Sequence, residues 1–411
     1  MVLDLEYVRG QFPSLTQRVN GQEAAFLDAP GGTQVPQRVI RAMADYLAQD
    51  NANKGGAFMT SRKTDLVIKE ARQAMADFLG SDADEVAFGE NATTLIYRLA
   101  LALGRGIREG DEILITQLDH EANRGPWQSL IERGAVIREV KIDPEDCSID
   151  LDDFKDKLSP RTRIAAFIMA SNVVGSISPV KEMVRLTRSV DAISVVDAVH
   201  YALHGPLDVH ELGVDFLVTS VYKFFGPHLG VFYGRREVFE SIDFYSIRPQ
   251  RDQIPYPMES GTLNHEGLAG AREAVEFIAD LGAKFGQDTG TEDPQRINAG
   301  MKAIEAYEEP LFHHLWEEMA ALSGVRLYGP AADGQRTPTL SFTVEGYHPR
   351  QVAEILGEKG IFVWNGHFYA NRLVECLGLL EDGGLVRVGL APYNSAQEIE
   401  RLILAIRGLV K

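Results

Sequence analysis

The chain has 411 residues, 41 Lys and Arg against 59 Asp and Glu, and a formal net charge of −18. That acidic excess argues against nucleic acid or an anionic membrane as partner, since both need a basic face, and no stretch has the apolar length of a membrane span. The length allows a large core and two or three domains. The start, MVLDLEYVRGQFPSL, is acidic and broken, unlike a signal peptide, so cytoplasm is the expected compartment. Cys147 and Cys376 stand far apart without CxxC or CxxH spacing and the histidines are scattered, so neither a disulfide framework nor a metal site is expected.

Residues 3–12 read as a short helix ended by Pro13, and 25–27 as a short strand before the tight loop DAPGGT. Gly31 and Gly32 mark a turn that a side chain would obstruct. The polar segment 51–61 precedes a long helix at 63–79. Residues 85–89 form a strand, GENATT a turn and 95–103 a helix. The unpaired donors at a helix start bind phosphate well, which makes Ala92, Thr93 and Thr94 candidates; ordinary Asn or Thr capping is the competing reading. The strand 112–116 leads to QLDHEANRGPW, with His120 in the loop.

Strands follow at 136–142 and, after a strand and helix over 149–158, at 164–169, with Asn172 just beyond. A helix at 179–190 connects to the strand 193–196 as a βαβ crossover does. Asp197 falls at that strand's carboxyl end, where open α/β sheets place ligands; a helix N-cap is the alternative. The strand 215–221 is followed by Lys223 and the turn FFGPHLG, then the apolar strand 231–233. A lysine between two apolar segments is partly desolvated, which lowers its pKa toward the nucleophilic form a Schiff base needs; a surface lysine in a hairpin loop is the plain alternative. From about residue 292 the pattern changes. Helices at 296–307 and 311–322 lead to a strand (339–344), a helix (349–359), short strands (361–364 and 386–389) and a closing helix (396–410).

Asp197 followed by Lys223, each just past a strand, resembles the class V aminotransferase family of fold-type I pyridoxal 5′-phosphate (PLP) enzymes, and within it the cysteine desulfurases of the sulfur-mobilisation, or group II, kind. The resemblance covers nearly the whole chain, from Leu5 to Ile406. It implies an α/β fold with a mostly parallel large sheet of seven-stranded type flanked by helices, plus a smaller α+β domain. Residues 1–20 would be an arm packed on the small domain, 21–291 the PLP domain and 292–411 the small domain. It implies that Lys223 carries the cofactor, that Asp197 pairs with its ring nitrogen and that His120, in a segment like the family's His-x-x-Asn then Pro-Trp, stacks on the ring. Asn172, in SNVVG, and His200, where the family has Gln, would face the phenolic oxygen. Ala92, Thr93, Thr94, Ser220 and Tyr222 would hold the phosphate, Tyr222 replacing the usual His. Gly261 and Thr262, in the loop that such enzymes lend across subunits, imply a homodimer with shared active sites. Gly31, Gly32, Asn172, Trp364, Tyr369 and Arg387 would meet a small amino-acid substrate, Arg387 through its carboxylate; a structural salt bridge is the other use of that arginine.

The resemblance fails at the substrate loop. The family's sequence of Arg-x-Gly-His-His and then the sulfur-accepting Cys is replaced by Trp364, Asn365, Gly366, His367, Phe368 and Tyr369. A phenol cannot hold a persulfide. Cys376, seven residues on, reads as packing rather than a relocated nucleophile. The expectation is a PLP enzyme cleaving a Cβ–S bond without capturing sulfur on that loop. Transamination, epimerisation or Cβ decarboxylation with carbon–carbon bond formation are alternatives on the same scaffold, and a non-catalytic ligand-binding α/β protein is the alternative of another class.

Overall fold

The computed structural model describes residues 3–250, 252–287 and 290–410. Seven strands form the first sheet: β1 (Val86–Gly89), β2 (Glu112–Thr116), β3 (Val136–Val140), β4 (Thr162–Ile168), β5 (Ile193–Asp197), β6 (Phe216–Ser220) and β7 (Gly230–Gly234). They lie in the order β1-β7-β6-β5-β4-β2-β3. β7 runs antiparallel to both neighbours, and the remaining pairs are parallel. β1 therefore points the same way as β6, and the carboxyl ends of β1, β2, β4, β5 and β6 share one edge. Both faces are covered, as parallel sheets require. Leu114, Phe167, Val196 and Leu217 pack into one core, while their neighbours Ile113, Ala166, Val195 and Phe216 pack into another on the opposite face.

Long helices cover these faces: α1 (Met59–Leu79), α2 (Ala92–Leu103), α3 (Val180–Arg188) and α4 (His265–Phe285). α3 supplies the crossover between β4 and β5. A further helix, α5 (Asp293–Ala320), leads to a second, antiparallel sheet. Its strands are β8 (Val325–Tyr328), β9 (Thr339–Val344), β10 (Trp364–Gly366) and β11 (Leu385–Gly389), in the order β8-β9-β11-β10. Leu340, Phe342, Val386 and Val388 bury one face of it against Ile399, Leu402 and Ile403 of the closing helix α6 (Ala396–Arg407). Ala25 and Leu27 join this core, and Ala25–Phe26 pairs in parallel with Ile361–Phe362. The N-terminal segment is tied to the same end: Arg9 Nη1 donates to the Tyr393 carbonyl at 2.8 Å and to Glu398 Oε1 at 2.9 Å, and the Phe12 and Tyr393 rings meet at 5.0 Å.

Several elements differ from the sequence-based expectation. α5 is one helix of 28 residues with Pro310 inside it, not two. Its buried positions, Ile297, Met301, Ile304, Glu308, Phe312, Leu315 and Met319, keep one stripe across the proline, so packing outweighs the hydrogen bond that Pro310 cannot donate. α2 begins at Ala92, three residues early, because Asn91 caps it. The expected strand near Ile149 is a single bridge to Ile142. The expected strand 361–364 is two pieces, the second of which, β10, belongs to the second sheet. Among the described residues no helix is long and apolar enough to cross a membrane, and no group of three or more His, Cys, Asp or Glu is placed to hold a metal ion.

Candidate active site

The shared carboxyl edge of the first sheet and the second sheet's β10 and β11 enclose a cavity of about 430 Å³. Lys223 enters it from a short turn after β6, 9% exposed, with Nζ donating to the Pro30 carbonyl. Burial, aided by the positive charge of Arg387 and opposed by Asp197, lowers this amine from 10.5 to about 7. Asp197 ends the neighbouring strand, its register partner in β6 being Val218. One carboxylate oxygen accepts the Val199 amide at 2.9 Å. Burial raises its pKa to about 6 against that bond and the Lys223 charge.

At one end of the cavity is the start of α2. Gly230 pairs with both Gly89 and Ser220, which levels the ends of β1 and β6 and brings the Ala92 amide 3.3 Å from Ser220 Oγ. A Cβ on Gly230 would lie 2.5 Å from the Asn91 carbonyl carbon, so the helix start sits directly on bare backbone. Ala92, Thr93, Ser220 and Tyr222 line the cavity, as does Asn91, which the sequence reading passed over. Thr94 does not. Its amide donates to Asn91 Oδ1 at 2.9 Å and its hydroxyl to the Asn91 carbonyl at 2.9 Å, so it is engaged in the capping box of which Asn91 is the cap, in line with the competing capping reading. Gly31 lines the cavity, whereas Gly32 lies behind it, where a Cβ would come within 3.0 Å of the Tyr222 ring.

His120 follows β2. Its Nδ1 accepts the Ala122 amide at 3.0 Å, and burial with the charges of Lys223 and Arg387 drives it down to about 4, so the ring is neutral. The turn beneath it is a buried chain: Asp119 accepts the Thr116 amide at 2.7 Å and the Asn123 side chain at 3.1 Å, and Asn123 accepts from the Trp127 indole at 3.2 Å. The segment Asp-His-x-x-Asn-x-x-x-Trp is thus a scaffold for one imidazole. His200, 3% exposed, places Nε2 3.0 Å from the hydroxyls of both Thr337 and Thr339. Burial and the nearby His204 hold it well below the usual histidine range.

The roof is the run Trp364 to Tyr369. Phe368 and Tyr369 are both left-handed, at φ 54° and 56°. Arg387, 4% exposed on β11, lies 4.2 Å over the Phe368 ring and donates from Nη1 to the Asn172 carbonyl at 2.8 Å. Burial lowers it to about 9, against the support of Asp28. Asp28, also missed from sequence, is itself pushed up to about 6 by burial. Asn172 donates to the Phe368 carbonyl at 2.9 Å. Its Oδ1 and the Arg387 Nε are buried without partners.

Gly261 and Thr262 are not brought here within one chain; they line a separate groove with Arg72 and Glu259. Neither cysteine is among the cavity-lining residues. Burial raises the Cys147 thiol to about 12 and that of half-buried Cys376 by less, the latter against the pull of Arg372.

A desolvated lysine one strand away from a buried carboxylate, with an arginine and a helix start facing the same cavity, defines a fold-type I PLP site. The aminotransferase class-V family model matches residues 25–402, and the chain belongs to that family. It is cysteine desulfurase-like along its length. A cysteine desulfurase from Synechococcus elongatus is 33% identical across 98% of this chain, which spans 63% of that protein. A probable cysteine desulfurase from Synechocystis is 32% identical across 98% of this chain and 95% of its own. The apo structure of the cysteine desulfurase from Thermococcus onnurineus superposes with a TM-score of 0.87 at 29% identity, covering 100% of this chain and 98% of that one. These families are PLP-dependent. The cavity fits the group: it offers an amine at about pKa 7, a carboxylate in the adjacent strand, helix-start donors and two buried polar atoms without partners on its lining residues Asn172 and Arg387.

Proposed function

We propose that the chain is a PLP-dependent enzyme that acts on a small amino acid and cleaves its Cβ–S bond, releasing the sulfur without first storing it on an enzyme cysteine. The observation that supports this most is a PLP-type cavity whose wall holds Lys223, Asp197 and Arg387 but neither Cys147 nor Cys376. In this reading Lys223 holds the cofactor through Nζ, Asp197 faces its ring nitrogen and His120 stacks on the ring. Ala92, Thr93, Ser220 and Tyr222 take the phosphate, and Asn172 and His200 face the phenolic oxygen.

Bound there, PLP supplies an electron sink for a carbanion at the substrate Cα. Arg387 receives the substrate carboxylate in the planar, two-pronged manner of a guanidinium. Lys223, freed and neutral above about pH 7, takes the Cα proton onto Nζ. Neutral His120 is positioned to carry a proton to the leaving sulfur.

Residues 21–291 form the cofactor domain, 292–411 the domain that covers it and 1–20 the arm joining them. The protein is cytoplasmic and works as a homodimer, in which the loop bearing Gly261 and Thr262 completes the neighbouring copy's site. The experiment is product analysis of the PLP-loaded protein with cysteine, cystine and S-substituted cysteines. Sulfide, persulfide or thiol together with pyruvate supports the reading; none of these from any substrate ends it.

A further inference from the structure

The roof of the cavity differs in kind from its floor. The charged side chains among the lining residues are Asp197, Lys223 and Arg387, all under a tenth exposed. The outer wall is aromatic. Trp364 and Tyr369 are 52% and 68% exposed, and the rings of His120 and His367 lie 5.7 and 6.0 Å from that of Tyr369.

These rings are held in place. Two successive non-glycine residues in left-handed conformation cost on the order of 1 kcal/mol each. Three hydrogen bonds keep them there: Asn172 to the Phe368 carbonyl at 2.9 Å, the Glu121 amide to the Tyr369 carbonyl at 2.6 Å and the Tyr369 amide to His367 Nδ1 at 3.2 Å. On the other side Gly31 makes room. A Cβ there would lie 2.4 Å from the Trp364 indole nitrogen, so the indole rests on bare backbone.

Resting on the reaction class proposed above, we infer that Trp364 and Tyr369 form a subsite for a flat apolar group carried on the substrate's sulfur. The substrate class is then S-aryl or S-arylalkyl cysteines rather than cysteine itself. A bare thiol leaves both rings uncovered, and a second carboxylate meets no Lys or Arg in the outer wall. Rigid aromatic side chains give large contact area at small entropic cost. The balance is R–S–CH2–CH(NH3+)–COO− plus water giving R–SH, pyruvate and ammonium. The Cα–H, Cβ–S and Cα–N bonds break, the sulfur leaves with a proton, Cβ gains a proton to become the methyl group, water supplies the ketone oxygen as ammonium departs, and no oxidant or reductant is needed.

The test is rapid-mixing titration of the PLP-loaded protein, its visible absorbance read in the first phase before product forms, with S-benzylcysteine, alanine and S-carboxymethylcysteine. S-benzylcysteine binds about tenfold or more tightly than the other two. That ratio collapses in Trp364→Ala and Tyr369→Ala and is kept in Trp364→Phe and Tyr369→Phe. Indole fluorescence is quenched in the unaltered protein and not in Trp364→Phe, Trp127 being fully buried and Trp316 packed on the second sheet's core, outside the cavity lining. Equal affinities, or a ratio that survives both alanine variants, overturn the subsite. A protein that develops no visible band with PLP overturns the reaction class and the subsite with it, whereas a band without the preference overturns the subsite alone.

Discussion

The guanidinium of Arg387 lies 4.2 Å over the Phe368 ring, and the carbonyl of that phenylalanine is held at 2.9 Å by the Asn172 side chain. The group that would receive the substrate carboxylate is thus oriented by the roof and, through Asn172, by the floor. A desolvated cation–π contact contributes about 2 kcal/mol. Phe368→Leu keeps the bulk and loses the ring face, so KM for the amino acid rises about tenfold with a smaller change in kcat. Steady-state kinetics decide it; an unchanged KM shows that the ring does not orient the arginine.

Lys223 sets the second expectation. The unaltered protein reconstituted with PLP absorbs in the visible and is bleached by borohydride, and Lys223→Ala does neither. Colour in the alanine variant would place the attachment elsewhere.

The pH dependence follows from the same amine. Its folded value of about 7 lies below the ordinary 10.5, so the reactive neutral fraction falls about tenfold per pH unit below 7. The rate of PLP uptake by the apo protein rises through pH 7 and then levels, as stopped-flow absorbance would record. Linkage has the opposite partner in stability. The unfolded chain binds the extra proton between about 7 and 10.5, so the cost of burying this lysine grows as pH falls through that window and is complete below it. Apo Lys223→Met therefore melts above apo unaltered protein at pH 7, and the gap closes as pH approaches 10.5.

Gly230 tests the phosphate end. Its replacement by Ala drives a methyl into the Asn91 backbone and Leu95 side chain, and overpacking of this kind costs about 1–3 kcal/mol. The start of α2 shifts away from Ser220, and PLP affinity measured by equilibrium dialysis falls about tenfold. Full affinity would mean that the helix start does not hold the phosphate.

Arg9 tests the arm. Arg9→Ala removes the donor to the Tyr393 carbonyl and the cation at Oε1 of the buried Glu398 carboxylate, a loss of about 1–3 kcal/mol, read as a lower denaturation midpoint with an unchanged m-value. An unaltered midpoint would show that the arm adds nothing to stability.

Much of the cofactor floor was legible because it is built from short segments with local signals. Glu112–Thr116 and, in the second sheet, Thr339–Val344 read to the residue, and Asp197 and Lys223 announce themselves as polar groups at the ends of apolar strands. The unread parts depend on distant partners. Asn91, Pro30 and Asp28 matter through Gly230, Lys223 and Arg387 respectively, each more than a hundred residues away. Thr94 misled because one side chain type serves both caps and anions, and here Asn91 had already claimed it. Pro310 misled because a local rule about backbone donors was outweighed by a stripe buried along the whole of α5.

The two sheets divide the labour. Asp197 and Ser220 end neighbouring strands of the first, where the ladder between β5 and β6 sets their spacing, and Lys223 sits in the turn just beyond β6; Trp364 and Arg387 face each other as register partners in the second. Rewriting the short stretch from 364 to 369 can retarget such a catalyst to new side chains while its electronic machinery stays intact, which makes this loop the place to begin in building variants with chosen specificity.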